Sequence, residues 1–153
     1  MKRGIYHLII KLSRKKEIQI GRLGVFLFPK GFYVYTGSAQ VSLEKRVTRH
    51  LSDKKRNHWH IDYLLQYGKI ISVLTVDGLK SKECVLSNKI ADTLGGRIVA
   101  DNFGSSDCKC KTHLYFFERR PKIKETFRGT IRYKREVFIL RGKSCKSEQA
   151  VRE

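Results

Sequence analysis

Residues 32–51, FYVYTGSAQVSLEKRVTRHL, leave little freedom in how they fold. Tyr33, Val34 and Tyr35 are β-formers in an alternating, half-apolar setting, so the run begins as a strand. Thr36-Gly37-Ser38 is expected to break that strand. Ser42 then suits an N-cap, with Glu44 in the first turn of a helix over 42–51. Leu43, Val47 and Leu51 recur every four residues and form one apolar stripe. Arg46 and His50 are also four apart and fall on the edge of it. A guanidinium and an imidazole at the rim of a core, beside Tyr35 and a glycine, mark a candidate site. The same spacing also describes a solvated helix flank with snorkelling stems.

The flanking segments supply a core for this unit. Residues 4–12 read as a strand, followed by a basic turn at 13–16. Ile18, Ile20, Val25 and Leu27 suggest a short hairpin turning at 21–24, and Pro29-Lys30-Gly31 leads into the strand at 33–35. Strands in succession predict an antiparallel meander at the amino end. Asn57 suits the N-cap of a helix over 58–67, stopped by Gly68. His58 and Asp62 lie one turn apart on it and are expected to hydrogen-bond, fixing the imidazole. Residues 69–76 are a nearly continuous apolar run and predict a central strand. A helix over 82–94 follows, with Ser81 as N-cap and Gly95-Gly96 closing it. Its stripe is Leu86, Ile90 and Leu94, and Glu83 projects along the same side. A carboxylate aimed at a core needs a partner, and a divalent cation is one solution; complementing the helix dipole is the other. Residues 97–100 and 112–118 read as strands, separated by the polar loop 104–111. The expected fold is one compact α/β (α+β) domain over 1–118, a small, mainly antiparallel sheet flanked by helices. A basic extension, 119–153, is packed in part on it. Phe127–Leu140 suggests a hairpin around Gly129, and 143–153 are expected to fray.

Charge restricts the partners. Lys plus Arg total 33 against 14 Asp plus Glu, a balance of +19. Such a chain attracts polyanions, so nucleic acid is the expected partner, with a membrane surface the lesser alternative. In the extension, basic residues alternate with Phe127, Tyr133 and Phe138, which suits backbone neutralisation with base stacking. The apolar run 5–12 is interrupted by His7 and Lys11, so no bilayer span is expected, and no signal-peptide pattern is visible. Four cysteines, Cys84, Cys108, Cys110 and Cys145, fit reduced thiols in a cytoplasmic protein. Cys108-x-Cys110 and His113, with His58-x-His60 elsewhere, raise the question of zinc. The spacing is tighter than CxxC and there is no second cysteine pair, so structural zinc is not expected.

Gly4-Ile5-Tyr6 followed by Tyr35-Thr36-Gly37, then a helix carrying Arg46 and His50, resembles the GIY-YIG nuclease superfamily. The segments YVYTGSA, LEKRVTRHL, HWHIDYLL and GSSDCKCKTHL look like its free-standing, Uri-type branch, and the resemblance spans residues 4–117. The hairpin between the two tyrosine motifs departs from the usual pattern. The resemblance implies a metal-dependent DNA endonuclease in which Glu83 holds one Mg²⁺ or Mn²⁺. Tyr6 would act as general base or position the water, Arg46 would neutralise the phosphoryl group, and Tyr35 and His50 would complete the site. His58 matches a second histidine of the superfamily better than His60 does. Gly37, Ser38, Arg49, the basic loop Lys54-Lys55-Arg56 and, by a loose match, Asn102 would contact nucleic acid. Two alternatives stay open: a non-catalytic DNA- or RNA-binding module on the same scaffold, and a zinc-stabilised RNA-binding protein. Stoichiometric zinc would point to the second of these.

Overall fold

The first strand, β1 (Gly4–Leu12), is buried at every position except Lys11, because both of its faces and both of its edges are covered. In the computed structural model, which describes residues 3–139 and 149–152, β1 pairs antiparallel with β4 (Gly31–Ala39) on one side and β5 (Lys69–Val76) on the other. The remaining elements are β2 (Lys16–Ile20), β3 (Gly24–Phe28), α1 (Leu43–Leu51), α2 (His60–Leu64), α3 (Lys82–Leu94), β6 (Leu114–Phe117), α4 (Ile123–Thr126), β7 (Arg135–Ile139) and β8 (Gln149–Arg152). The main sheet has six strands in the order β6-β4-β1-β5-β7-β8, and the pairings within it are antiparallel. A single α+β domain with a mainly antiparallel sheet is therefore what the chain forms. Among the described residues no helix is long and apolar enough to cross a membrane.

Alternation along β1 sorts the core into two layers. Tyr6, Leu8 and Ile10 pack with Leu43 of α1, Ile61 and Leu64 of α2, and Ile18, Ile20 and Phe28 of the β2–β3 hairpin. On the opposite face Ile9 meets Ile90 of α3, Ile123 and Phe127, while Ile5 meets Leu86 and Val76. Each fully buried aliphatic or aromatic side chain contributes on the order of 1.5–3 kcal/mol of transfer free energy, so the two layers hold the sheet between them.

Several local expectations are corrected. The amino end is not a four-strand meander: β2 and β3 form their own two-stranded sheet, and β4 pairs directly with β1. The hairpin turns Ile18, Ile20 and Phe28 inward, whereas Val25 and Leu27 are each 56% exposed. Thr36-Gly37-Ser38 does not break the strand either, because β4 stays in register with β1 through Ala39 opposite Gly4. The helix after Arg56 is only one turn long, and Asn57 does not cap it. Asp62 does, with Oδ2 accepting from the backbone N–H groups of His58 (2.8 Å) and Trp59 (2.9 Å). Ser81 stands at the N-cap of α3 with helical backbone angles and no side-chain cap bond, while Gly95 closes the helix in the left-handed region (φ 75°). Arg97–Ala100 contributes a single bridge, Arg97 to Phe116, rather than a strand. Phe127 is buried, and the chain from there to Lys134 is irregular instead of a hairpin around Gly129. Strand β7 adds to β5 and β8 adds to β7, so the basic segment joins the sheet and Gln149–Arg152 is not frayed. The expectations for Leu140, 143–148, Cys145 and Glu153 fall outside the described residues. By contrast, α1 begins as its sequence dictates, with Ser42 Oγ accepting from the Lys45 N–H at 3.1 Å.

His7 is a buried polar side chain on the second face, alongside Thr36 and Ser72. It is fully buried, with Nδ1 2.8 Å from Thr36 Oγ1 and Nε2 2.7 Å from the Tyr133 hydroxyl. A neutral ring has one N–H, so one of these bonds donates and the other accepts. Burial pushes its pKa down to about 3 from an ordinary 6.5. The unfolded chain therefore takes up a proton at this site below about 6.5 that the folded chain refuses until about 3. The stability this group contributes is complete above 6.5 and is lost as the pH falls towards 3. Chemical denaturation at a series of pH values should show that decline, and it should be shallower in His7→Gln; an identical slope in the two proteins would count against it.

Candidate active site and an adjoining metal-binding cluster

The site lies where the β4 edge loses its partner. β6 pairs with β4 only from Phe32 to Tyr35. Beyond that point the edge is met by the loop over 101–113, through a bond from the Thr36 N–H to the His113 carbonyl (3.0 Å). The gap between that loop, the end of β4 and the first turn of α3 is a cleft of about 320 Å³. Tyr6, Tyr35, Gly37, Ser38, Arg46, His58 and Glu83 all line it.

Gly37 explains how two tyrosines share this space. It pairs with Tyr6 in the ladder, and a Cβ built on it would lie 2.5 Å from the Tyr6 hydroxyl oxygen. Its role is to leave room for the Tyr6 ring, not to turn the chain. The Tyr6 hydroxyl reaches the His50 Nε2 at 2.7 Å behind the cleft wall. His50 is buried, and that burial pushes its pKa down to about 3; Asp62 opposes the effect, while Arg46, Arg49 and Lys55 add to it. The ring is therefore neutral, so Nε2 either accepts from Tyr6 or donates to it, and Nδ1 has no hydrogen-bond partner among the described residues. Burial raises the Tyr6 phenol above its ordinary range, opposed by Arg46, and raises Tyr35 as well.

Arg46 is held by a bond from Nη1 to the Ser38 carbonyl (2.9 Å) and lies over the Trp59 ring, 4.5 Å from its centroid. Arg49 lies 4.4 Å from the same centroid, but both ends of its fork are used on Asp62 (3.1 and 3.0 Å). Burial alone would raise the Asp62 pKa; the hydrogen bonds from Arg49, Trp59 and His58 outweigh it, so the carboxyl sits below its usual value. Arg49 is thus a strut for the 56–62 segment. The expected bond between the His58 ring and Asp62 is replaced by the backbone contact, and the imidazole packs edge-on against Trp59, 5.1 Å away. Lys55 turns inward, its ammonium donating to the carbonyls of His50 (3.2 Å) and Ser52 (2.6 Å) at the end of α1. Lys54 and Arg56 stay exposed beside it. Asn102 adopts φ 65° in the loop and does not line the cleft. His60 accepts from the Gly104 N–H through Nδ1 (2.9 Å), anchoring that loop.

Glu83 is 8% exposed and has three polar neighbours. The Ser38 hydroxyl donates to Oε1 (2.9 Å), and the Lys80 ammonium stands 3.7 Å from the same oxygen. His113 Nδ1 is 3.0 Å from Oε2, out of line for a hydrogen bond and without another partner among the described residues. Lys80 also pairs with Asp107 (3.0 Å) at the cleft mouth. Trp59, Asp107 and His113 lie in segments that the sequence singles out without assigning them to this site, and Lys80, before the start of α3, carries no sequence signal.

Behind Glu83, the ligating atoms of Cys84, Cys108, Cys110 and His113 lie within 4.8 Å of one another, a set that can hold a metal ion. His113 Nε2 is 3.6 Å from both the Cys84 and the Cys108 sulfur. Burial raises the thiol pKa of Cys84, as do Cys110 and Cys108 beside it, and burial raises Cys110 too. The site does without the second cysteine pair that zinc spacing rules require. Instead α3 brings a single cysteine, and His58 and His60 belong elsewhere.

Over residues 5–135 the chain matches the family model described as a domain of unknown function, DUF123, and it belongs to that family. No curated protein and no solved structure matches it.

Gly37→Ala places a methyl group against the Tyr6 phenol. It should lower stability by about 1–3 kcal/mol through overpacking. Urea denaturation measures this, and an unchanged midpoint would sink the account of that glycine.

Proposed function

We propose that this protein is a metal-dependent endonuclease that hydrolyses DNA phosphodiester bonds. The observation that carries the reading is the convergence of Tyr6, Tyr35, Arg46, His58 and Glu83, from five separate segments, on one cleft backed by the Tyr6–His50 bond. The charge of +19 supports a polyanionic substrate.

Glu83 suits a weakly held Mg²⁺ or Mn²⁺. It offers one carboxylate at the cleft wall, and Lys80, at 3.7 Å, is a loose neighbour that a divalent ion can displace. Most of the coordination shell would be water and phosphate. Bound there, the ion supplies charge stabilisation at the leaving oxygen. The chain's own groups do the rest. The Tyr6 hydroxyl donates to neutral His50 and keeps a lone pair for a water in the cleft, so a proton can pass from water to Tyr6 as the phenol proton moves to Nε2. Burial is the main cause of the low His50 pKa, and the positive charge of Arg46, Arg49 and Lys55 adds to it against Asp62. A phosphate seated on Arg46 offsets part of that charge and raises the basicity of the pair when substrate is present. Arg46 is oriented by the Ser38 carbonyl and Trp59, and its remaining N–H groups are suited to the phosphoryl oxygens. Lys54 and Arg56, exposed on the loop after α1, suit backbone phosphates. Cys84, Cys108 and Cys110 form no disulfide, which fits a cytoplasmic setting.

Supercoiled plasmid and labelled single strands, incubated with Mg²⁺, Mn²⁺ or chelator, test the reading. Wild type should nick only with metal, and Glu83→Ala should bind but not cut. Arg46→Ala should slow cleavage at least about 100-fold, equivalent to about 2.7 kcal/mol of transition-state stabilisation. Salt-dependent binding by wild type with no cleavage under any metal would overturn it and leave a nucleic-acid-binding module in its place.

A further inference from the structure

We infer that Cys84, Cys108, Cys110 and His113 Nε2 hold one structural zinc ion, and that this ion fixes His113 against Glu83. Zinc takes thiolate and imidazole ligands tetrahedrally, at about 2.3 Å for sulfur and about 2.0–2.1 Å for nitrogen, so a nitrogen–sulfur edge of the tetrahedron is about 3.6 Å. Both distances from His113 Nε2, to Cys84 and to Cys108, are 3.6 Å. Hydrogen bonding does not account for that pair. A ring nitrogen has one in-plane lone pair or one N–H, and two sulfurs at equal distance compete for it. The four atoms lie within 4.8 Å of one another, and a sulfur–sulfur edge around zinc is about 3.8 Å, so the widest gap closes by about 1 Å at most.

The second ring nitrogen gives an independent indication. With Nε2 on a metal, Nδ1 must carry the proton, and metal-bound histidines donate that N–H to a carboxylate, a carbonyl or water. Nδ1 here is buried, lacks a hydrogen bond among the described residues, and lies 3.0 Å from Glu83 Oε2. A small rotation completes a carboxylate–histidine–zinc relay. The backbone of His113 is already fixed, its N–H donating to the Phe103 carbonyl (2.8 Å) and its carbonyl accepting from Thr36. The ion therefore ties three parts together: the first turn of α3, the loop over 105–113 and the end of β4. It also turns Glu83 Oε1 towards Ser38 and the cleft. Only the use made of that orientation rests on the proposed endonuclease reading; the zinc site stands without it. Stoichiometric zinc accordingly does not single out an RNA-binding protein, as the sequence alone would suggest.

Elemental analysis of the full chain, expressed with zinc in the medium and purified without chelator, should find one zinc per chain. Metal-stripped protein titrated with Co²⁺ should develop the intense visible bands of tetrahedral cobalt and a thiolate-to-cobalt band in the near ultraviolet. Cys110→Ser should lose most of the bound zinc. Glu83→Gln should retain the site with affinity weakened about 10–100-fold, as removal of a partner to a ligating histidine does. Wild-type measurements alone decide the question if Cys110→Ser fails to fold. A chain that carries no metal, carries iron, or joins two of these cysteines in a disulfide, with no tetrahedral cobalt spectrum, overturns the assignment. Each readout is independent of DNA cleavage, so loss of one reading leaves the other open.

Discussion

The register between β1 and β4 is the constraint on which the rest depends. It sets Tyr6 opposite Gly37 and Gly4 opposite Ala39. A slip by one residue would move every side chain of a strand to the other face. Tyr6 would leave the face of α1, where His50 waits, and the space left by the missing Cβ of Gly37 would face nothing. Gly4 is bound to the same register, since a Cβ there would lie 2.8 Å from the Val76 carbonyl oxygen and 2.9 Å from a Leu43 methyl carbon. Both glycines are thus read by close approach rather than by turn geometry.

The cleft draws on both faces of the sheet. Tyr6 and Tyr35 come from the α1 side, and Glu83 comes from α3 on the other. They meet only because β4 outlasts β6 and leaves an end that the 101–113 loop can wrap. Around that end, charge is carefully matched. Arg49 is spent on buried Asp62, Lys55 on helix-end carbonyls, and Lys80 on Asp107 and Glu83. Arg46 has a carbonyl, a ring face and the Tyr6 hydroxyl beside it, and its five N–H groups still leave donors for a ligand.

Much of this was legible in the residues. The helix over 42–51, the strands over 4–12 and 69–76, and the helix over 82–94 follow from periodicity, because each buries one clear stripe or run. Glu83 on the apolar side of its helix was visible for the same reason. What was not legible required distance information. The β4 extension through Gly37 depends on its partner strand, and a glycine kept for its missing Cβ looks in sequence like one kept for its torsion angles. Asn57 looked like a cap, but Asp62, four residues from the first N–H it accepts, satisfies the helix start instead. Cys84 stands far along the chain from Cys108 and Cys110, so no spacing rule connects them; only the packing of α3 does.

The β2–β3 hairpin shares its core with the domain but not its hydrogen bonds. Among the described residues its ladder bonds only to itself, and it is attached mainly by the apolar contacts of Ile18, Ile20 and Phe28, with Lys16 over the Tyr67 ring besides. Such a unit can open to solvent as a separate cooperative piece while the central sheet stays zipped. Phe28 packs against Phe103, which in turn touches Tyr35 and His60. A hairpin excursion would therefore withdraw one wall of support from the loop that closes the cleft, so that opening of the segment between β1 and β4 would be felt as slow breathing at the site itself.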